Sequence, residues 1–130
     1  MDRRGVVLTE INHLVDQQFK YGSLDCCQFA GEIARKLTGK NPAEIFGYAT
    51  EDEAVRLIEQ HGSLENIVSS RLGPSIDEFD LLQDGDPCIV RIPGAPDLLG
   101  VKLFYGIVCK TTTKAITLDS KVFAVGWHIG

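Results

Sequence analysis

The chain has 130 residues and a mass of 14.3 kDa, which suits one domain that builds its own hydrophobic core. Hydrophobic residues make up 44% and charged residues 24%, the proportions of a globular chain rather than a disordered one. The net charge of −5 argues against binding to nucleic acid, which needs clustered Lys and Arg. No apolar run approaches the ~18 residues of a membrane span, and the first apolar stretch is too short for a secretory signal.

The first half of the chain carries helical patterns. Residues 9–19 place four apolar side chains on one stripe at helical spacing: Ile11, Leu14, Val15 and Phe19. His13 then falls on the opposite, solvated face. A second helix is predicted to follow Asp25, a good N-cap residue (with Ser23 as the alternative), and to end at Gly39.

Two more helices are predicted before residue 75. Thr50 and Glu53 have the spacing of a capping box, and we expect the helix that follows to bury an apolar face and to end at Gly62. That face consists of Ala54, Leu57 and Ile58. His61 precedes the stop and suits the negative end of this helix. Residues 63–74 predict a short fourth helix that ends at Gly73 and Pro74.

After Asp84 the pattern changes to strands. Four segments rich in Val, Ile, Phe and Thr are separated by Gly, Pro and Asp turns: PCIVRI, LLGVKLFYGIVCK, KAITLD and KVFAVGWHI. Short connections favour antiparallel pairing. The sequence therefore predicts an α+β fold, with N-terminal helices packed on a small antiparallel sheet of four or five strands, in a single domain over residues 1–130.

The four cysteines do not indicate a disulfide framework. Cys88 and Cys109 lie inside apolar runs and are expected to pack in the core as free thiols. A bridge between the neighbours Cys26 and Cys27 would be strained. We predict no metal site and no cofactor, because no histidine stands at metal-site spacing from a cysteine.

Cys26 and Cys27 are the candidate functional residues. A thiol in the first turn of a helix feels the positive end of the helix dipole, which favours the thiolate. The carboxylate of Asp25 works in the opposite direction. The residues alone leave two interpretations open: Cys26 is a nucleophile, or both cysteines are packing residues.

The order of several short motifs resembles the NlpC-type cell-wall endopeptidases, which are papain-like enzymes. In that family a Tyr-Gly or Trp-Gly precedes Asp-Cys, and the cysteine opens a helix. The whole chain further resembles a small branch of this superfamily found among phage tail genes. Its motifs correspond to five segments here: Tyr21–Phe29, Tyr48–Leu64, Gly85–Asp86, Leu99–Leu103 and Gly126–Ile129.

The resemblance implies that Cys26 matches the family nucleophile and that Cys27 stands where serine is usual. The active peptidases place a histidine at the start of the second strand, where this chain has Leu98 and Leu99. Leucine neither accepts nor donates a proton. His128 is the remaining candidate base, although Trp127 is the better core residue and side chains alternate along a strand.

Two functions from different classes follow from the resemblance. The first is a structural or interaction component of a phage tail, near the distal tip or hub, with a degenerate NlpC-like fold. It would be made in the host cytoplasm, reside in the virion and contact other tail proteins through loops such as Ile92–Leu99. The alternative is an active cysteine endopeptidase or amidase that acts on peptidoglycan stem peptides during entry. A third hypothesis, independent of the resemblance, is a host protein unrelated to phage that uses the thiol for binding or redox sensing.

Overall fold

A computed structural model of the chain describes residues 2–21, 24–43 and 47–130. Within these residues, helices come first and a five-stranded antiparallel sheet follows, so the predicted α+β layout is confirmed. The elements are α1 (Arg3–Val15), α2 (Cys26–Thr38), α3 (Glu51–His61), α4 (Leu64–Leu72), β1 (Pro87–Val90), β2 (Leu98–Leu103), β3 (Gly106–Lys110), β4 (Ala115–Leu118) and β5 (Phe123–Gly126). The strand order in the sheet is β4-β3-β2-β1-β5.

Helix α1 begins and ends earlier than the sequence pattern predicts. Asp2 is its N-cap and accepts a hydrogen bond from the backbone amide of Gly5, which starts the helix six residues before the predicted boundary at residue 9. Phe19, predicted to lie on the helical stripe, falls beyond the last turn and packs edge-on against Tyr21 at 4.9 Å between ring centroids. His13 is exposed, as predicted.

Helices α2 and α4 match their predicted boundaries. The carboxylate of Asp25 accepts a hydrogen bond of 2.8 Å from the amide of Gln28, which confirms Asp25 as the N-cap of α2. The alternative cap, Ser23, lies outside the described residues. Gly39 ends α2 in the left-handed conformation. Helix α4 buries Leu64, Ile67 and Val68, as its pattern predicts.

Helix α3 forms as predicted but does not bury its apolar face. Thr50 caps it and exchanges hydrogen bonds with Glu53, so the capping box is confirmed. However, α3 contains no fully buried residue, and the three side chains that were expected to be buried are only partly so. The packing expectation for Ala54, Leu57 and Ile58 was therefore wrong, because the three side chains line a cavity.

The sheet is covered on both sides. The side facing α1, α2 and α4 contributes Ile89, Leu99, Val101, Leu103 and Val108 to the main core. On the other side a second cluster forms around Leu82, Cys88, Val90, Ile107 and Cys109, with Phe79 and Phe123 packed against it. Cys88 and Cys109 are fully buried there as free thiols.

The turn at Gly85 and Asp86, before β1, is hydrogen-bonded to residues near both ends of the described chain. The carboxylate of Asp86 is completely buried. It accepts hydrogen bonds from Arg3 Nη2 at 2.7 Å, from the amide of Gln83 at 2.8 Å and from the amide of Ile129 at 3.1 Å. Nδ1 of His128 lies 3.1 Å from its second oxygen. A four-way arrangement of this kind fixes the turn, α1 and the residues after β5 together.

The end of β5 corrects one sequence expectation. Strand β5 stops at Gly126, so Trp127 and His128 follow the strand instead of lying on it. The expectation that Trp127 is a core residue and that His128 lies on the outer face is nevertheless confirmed. Trp127 is buried at 1% exposure and donates to Ser69 and to the carbonyl of Gly73, while His128 is exposed. Across the residues that the structure describes, no helix is both long and apolar enough to cross a membrane.

Candidate functional site

Cys26 and Cys27 occupy the first turn of α2, where the helix approaches the start of β2. Both thiols are partly buried and pack against the main core. The thiol of Cys26 forms a hydrogen bond with the thiol of Cys27 and another with the backbone of Leu99. The sequence prediction that α2 begins at this pair is confirmed, and the structure adds β2 as the element that faces it.

The two thiols differ in acidity. A hydrogen bond from the Cys27 thiol, helped by the backbone of Leu99, lowers the pKa of Cys26 despite its burial and the nearby charge of Asp25. The same hydrogen bond, together with burial, holds the pKa of Cys27 well above its usual range. The first proton lost from the pair is therefore that of Cys26, and Cys27 remains a donor to it.

Tyr48 completes the polar part of the site. Its hydroxyl lies within hydrogen-bonding reach of the Asp25 carboxylate and of the Cys27 thiol. Burial, helped by the hydrogen bond to the Asp25 carboxylate, raises the pKa of Tyr48 far above its usual range. Tyr48 consequently stays protonated and acts as a hydrogen-bond donor. The sequence offered one signal for it, since Tyr48 opens the second motif of the phage-tail resemblance.

Leu99, at the start of β2, lies beside Cys26. Leu98 and Leu99 open β2, and the side chain of Leu99 is buried at 5% exposure. Its backbone hydrogen-bonds to Cys26, but its side chain offers no group that accepts or donates a proton. The start of β2 therefore presents its backbone to the Cys26 thiol, while the side chain at this position takes no part in proton transfer.

His128, the candidate base, lies against a different partner. Its Nδ1 is 3.1 Å from Asp86, and its side chain is 56% exposed. The groups that influence the acidity of Cys26 include Asp25, Cys27 and the backbone of Leu99. The hypothesis of a Cys26–His128 pair therefore has no contact in its favour among the described residues.

The remaining histidines have local partners. His13 lies next to Gln17 on the exposed face of α1, at 3.1 Å. Nδ1 of His61 lies 3.0 Å from the carbonyl of Leu57 in the last turn of α3, where the cap was expected. In the described part of the chain, no cluster of three His, Cys, Asp or Glu residues is suited to hold a metal ion.

An apolar cavity adjoins the cysteine pair. It has a volume of about 80 Å³ and lies between α2, α3 and α4, with Cys27, Tyr48 and Leu99 in its lining. Ala30 and Ala34 of α2 contribute only small side chains to this lining, and the absence of a side chain at Gly31 makes room for Asn41. The sequence analysis missed this cavity. Its signal is the stripe of small residues on α2, but three helices must come together before the stripe encloses a volume.

The described part of the site holds a thiol that could act as a nucleophile, and the groups beside that thiol decide whether acyl transfer could be completed there. A cysteine enzyme needs a residue that accepts the thiol proton and then protonates the leaving amine. Within hydrogen-bonding reach of Cys26, the described residues supply a second thiol, Cys27, and the backbone of Leu99. Neither can perform both proton transfers.

One comparison with known proteins identifies a family. A family model described as a domain of unknown function, DUF6950, matches residues 3–129. Because the match covers almost the entire chain, the protein belongs to this family. No curated protein matches the sequence.

Proposed function

We propose that this member of the DUF6950 family is a non-catalytic, NlpC-like component of a bacteriophage tail, positioned near the distal tip or hub. In this proposal the domain contacts other tail proteins and resides in the virion. The tail assignment rests on the ordered motifs that resemble the phage-tail branch of the NlpC superfamily.

The observation that carries the non-catalytic part is the contact between Cys26 and Leu99. The start of β2 faces the thiol, and the side chain at that position is a buried leucine. His128 pairs with Asp86 instead. A papain-like mechanism needs an imidazole at the thiol, so the arrangement supports a domain that has kept the architecture of the site without its chemistry.

The surface offers contact area for neighbouring proteins at the turn between β2 and β3. Phe104 and Tyr105 are 56% and 52% exposed, and their rings pack edge to face at 4.9 Å. The guanidinium of Arg4 lies 4.2 Å above the Phe104 ring. Exposed aromatic and arginine side chains are enriched in protein interfaces. The predicted contact loop Ile92–Leu99 is two residues shorter than expected, because Leu98 and Leu99 belong to β2.

The proposal is tested by complementation in a phage that carries this gene. A phage with a nonsense mutation in the gene should lose infectivity, and a plasmid copy with Cys26→Ala should restore plaque formation as fully as the wild-type copy. Antibody against the protein should detect it in purified tails. Failure of Cys26→Ala and of Cys26→Ser, both folded by circular dichroism, would contradict a non-catalytic role. Absence from tails would contradict the tail assignment.

A second candidate, a cysteine endopeptidase or amidase acting on peptidoglycan stem peptides, is favoured by one observation. The lowered pKa of Cys26 gives the site a more acidic thiol than its neighbour Cys27. Thiolate character is the first requirement of a cysteine nucleophile. This candidate requires a proton donor for the leaving amine, supplied by a neighbouring subunit or by the substrate.

A further inference from the structure

The apolar cavity beside Cys27 carries an inference that does not depend on the proposed function. Protein interiors are packed about as densely as organic crystals, and spaces larger than a water molecule are few. This cavity has a volume of about 80 Å³, and Arg71 is the one charged residue among the described residues that line it. A space of this kind, with a cation at one point of its wall, has the character of a small-ligand site.

Helix α3 covers the cavity without filling it. The apolar side chains of Ala54, Leu57 and Ile58 all line the cavity and all remain partly exposed. An amphipathic helix of a globular protein normally packs this stripe against the core. The stripe therefore retains apolar surface that a ligand in the cavity would cover.

The opposite wall is preformed by buried hydrogen bonds. The buried side chain of Asn41 accepts a bond of 2.8 Å from the amide of Ala43 and donates one of 3.3 Å to Gln28. Gln28 in turn donates to the carbonyl of Ala43 at 3.1 Å. These hydrogen bonds hold residues 41–43, which form this wall, against α2. A ligand entering the cavity would meet a fixed surface on this side.

The charge and the volume restrict the ligand. Arg71 lines the cavity and is exposed, so it stands where the cavity meets solvent. Among the described residues no ion pair engages its guanidinium. A cavity of about 150 Å³ accommodates benzene, so half that volume accommodates about three or four carbon atoms. The matching ligand has a short apolar chain and an anionic end.

We propose that the cavity binds a short aliphatic carboxylate. Its chain of about three or four carbon atoms lies against Leu57 and Ile58 of α3, and its carboxylate pairs with the guanidinium of Arg71. Arginine is the side chain best suited to this pairing, because its planar donors match the two carboxylate oxygens.

The test is a titration of the methyl-labelled protein with isobutyrate, followed by NMR. The methyl signals of Leu57 and Ile58 should shift and saturate, with a Kd on the order of 1 mM. Isobutyramide, which has the same shape without the charge, should bind several-fold more weakly. Shifts that do not saturate, or equal affinity for the acid and the amide, would overturn the proposal.

Three variants make the test specific to the cavity. Ala54→Leu places additional carbon atoms in the cavity and should abolish saturable binding. Val55→Leu adds one carbon atom to an exposed position of the same helix outside the lining, and should bind isobutyrate like the wild type. Arg71→Gln should remove the preference for the acid over the amide. Undiminished binding by Ala54→Leu, or a retained preference in Arg71→Gln, would each contradict the assignment.

Discussion

At the scale of single residues, the two thiols of the cysteine pair differ in acidity. The pKa of Cys26 is lowered mainly by the hydrogen bond from Cys27, so removal of that donor should raise it. In Cys27→Ala the alkylation of Cys26 by iodoacetamide should require a higher pH than in the wild type. Cys27→Ser keeps a donor and should stay close to the wild-type profile, while Cys26→Ala supplies the blank. Coincident profiles for the wild type and Cys27→Ala would show that Cys27 does not control Cys26.

Asp86 is the residue on which the fold depends most heavily. Its buried carboxylate pairs with Arg3 and accepts two backbone amides. The variant Asp86→Asn leaves the partly exposed guanidinium of Arg3 without its counter-ion and a buried amide without its acceptor, so it should lower the free energy of unfolding by about 1–3 kcal/mol. Urea denaturation measures the change. Asp97→Asn, which breaks the exposed pair with Arg91, should lower the free energy of unfolding much less. Equal losses for the two variants would contradict this role of Asp86.

At the scale of elements, the turn before β1 brings α1 and α2 against the sheet. Gly85 has a φ of +90°, and a Cβ added there would lie 2.7 Å from Leu37 of α2 and 2.7 Å from Val7 of α1. Any other residue at this position requires the side chains of Leu37 and Val7 to shift. The Gly-Asp motif is thus explained by packing as well as by backbone conformation.

Comparison of two glycines separates these contributions. Gly94 has a φ of +81° with no atom within 4 Å of an added Cβ, so Gly94→Ala should cost about 1–2 kcal/mol for the left-handed backbone alone. Gly85→Ala should cost about 1–3 kcal/mol more, because of overpacking. Thermal or urea unfolding gives both values. A Gly85→Ala variant as stable as Gly94→Ala would contradict the close approach of α1 and α2.

At the scale of the whole molecule, buried thiols make the stability depend on alkaline pH. Burial raises the pKa of Cys109 from its ordinary 9.0 to about 12 and raises that of Cys88 as well. Above pH 9 the unfolded chain loses these protons while the folded chain keeps them. The free energy of unfolding should therefore fall as the pH rises from 9 toward 12, by about 1.4 kcal/mol per pH unit for each thiol.

The pH slope can be assigned to Cys109 with two variants. Cys109→Ala should unfold with a shallower decline above pH 9, since one of the titrating thiols is gone. Val108→Ala removes a buried side chain from the neighbouring position but keeps the thiol, so its stability should be lower at every pH with the wild-type slope. Identical slopes for all three proteins would show that Cys109 is not the group that titrates.

The sequence predicted those parts of the fold that depend on local signals. Asp25 and Gly39 bound α2 as expected, and the strand patterns gave the antiparallel sheet. The errors arise where tertiary contacts decide. Phe19 satisfies helical spacing but packs on Tyr21 beyond the end of α1, and the apolar face of α3 borders a cavity instead of the core.

The candidate site was also predictable only where local sequence signals define it. Cys26, and a leucine where the resembled peptidases have histidine, follow from the order of motifs. The contacts of Tyr48 with Asp25 and Cys27, and the pairing of His128 with Asp86, require side chains far apart in sequence to meet. The hydrophobic pattern of a single segment does not predict contacts of this kind.

The most direct test of the central claim is the release of stem-peptide fragments from purified peptidoglycan, measured by mass spectrometry for the wild type and for Cys26→Ala. Among the described residues, Leu99 lies beside the thiol and His128 pairs with Asp86, and the proposed non-catalytic role requires that no other group completes proton transfer at Cys26. The two proteins are therefore predicted to give the same background. Fragments that appear with the wild type and disappear with Cys26→Ala would contradict the account and identify the protein as a cysteine peptidase or amidase.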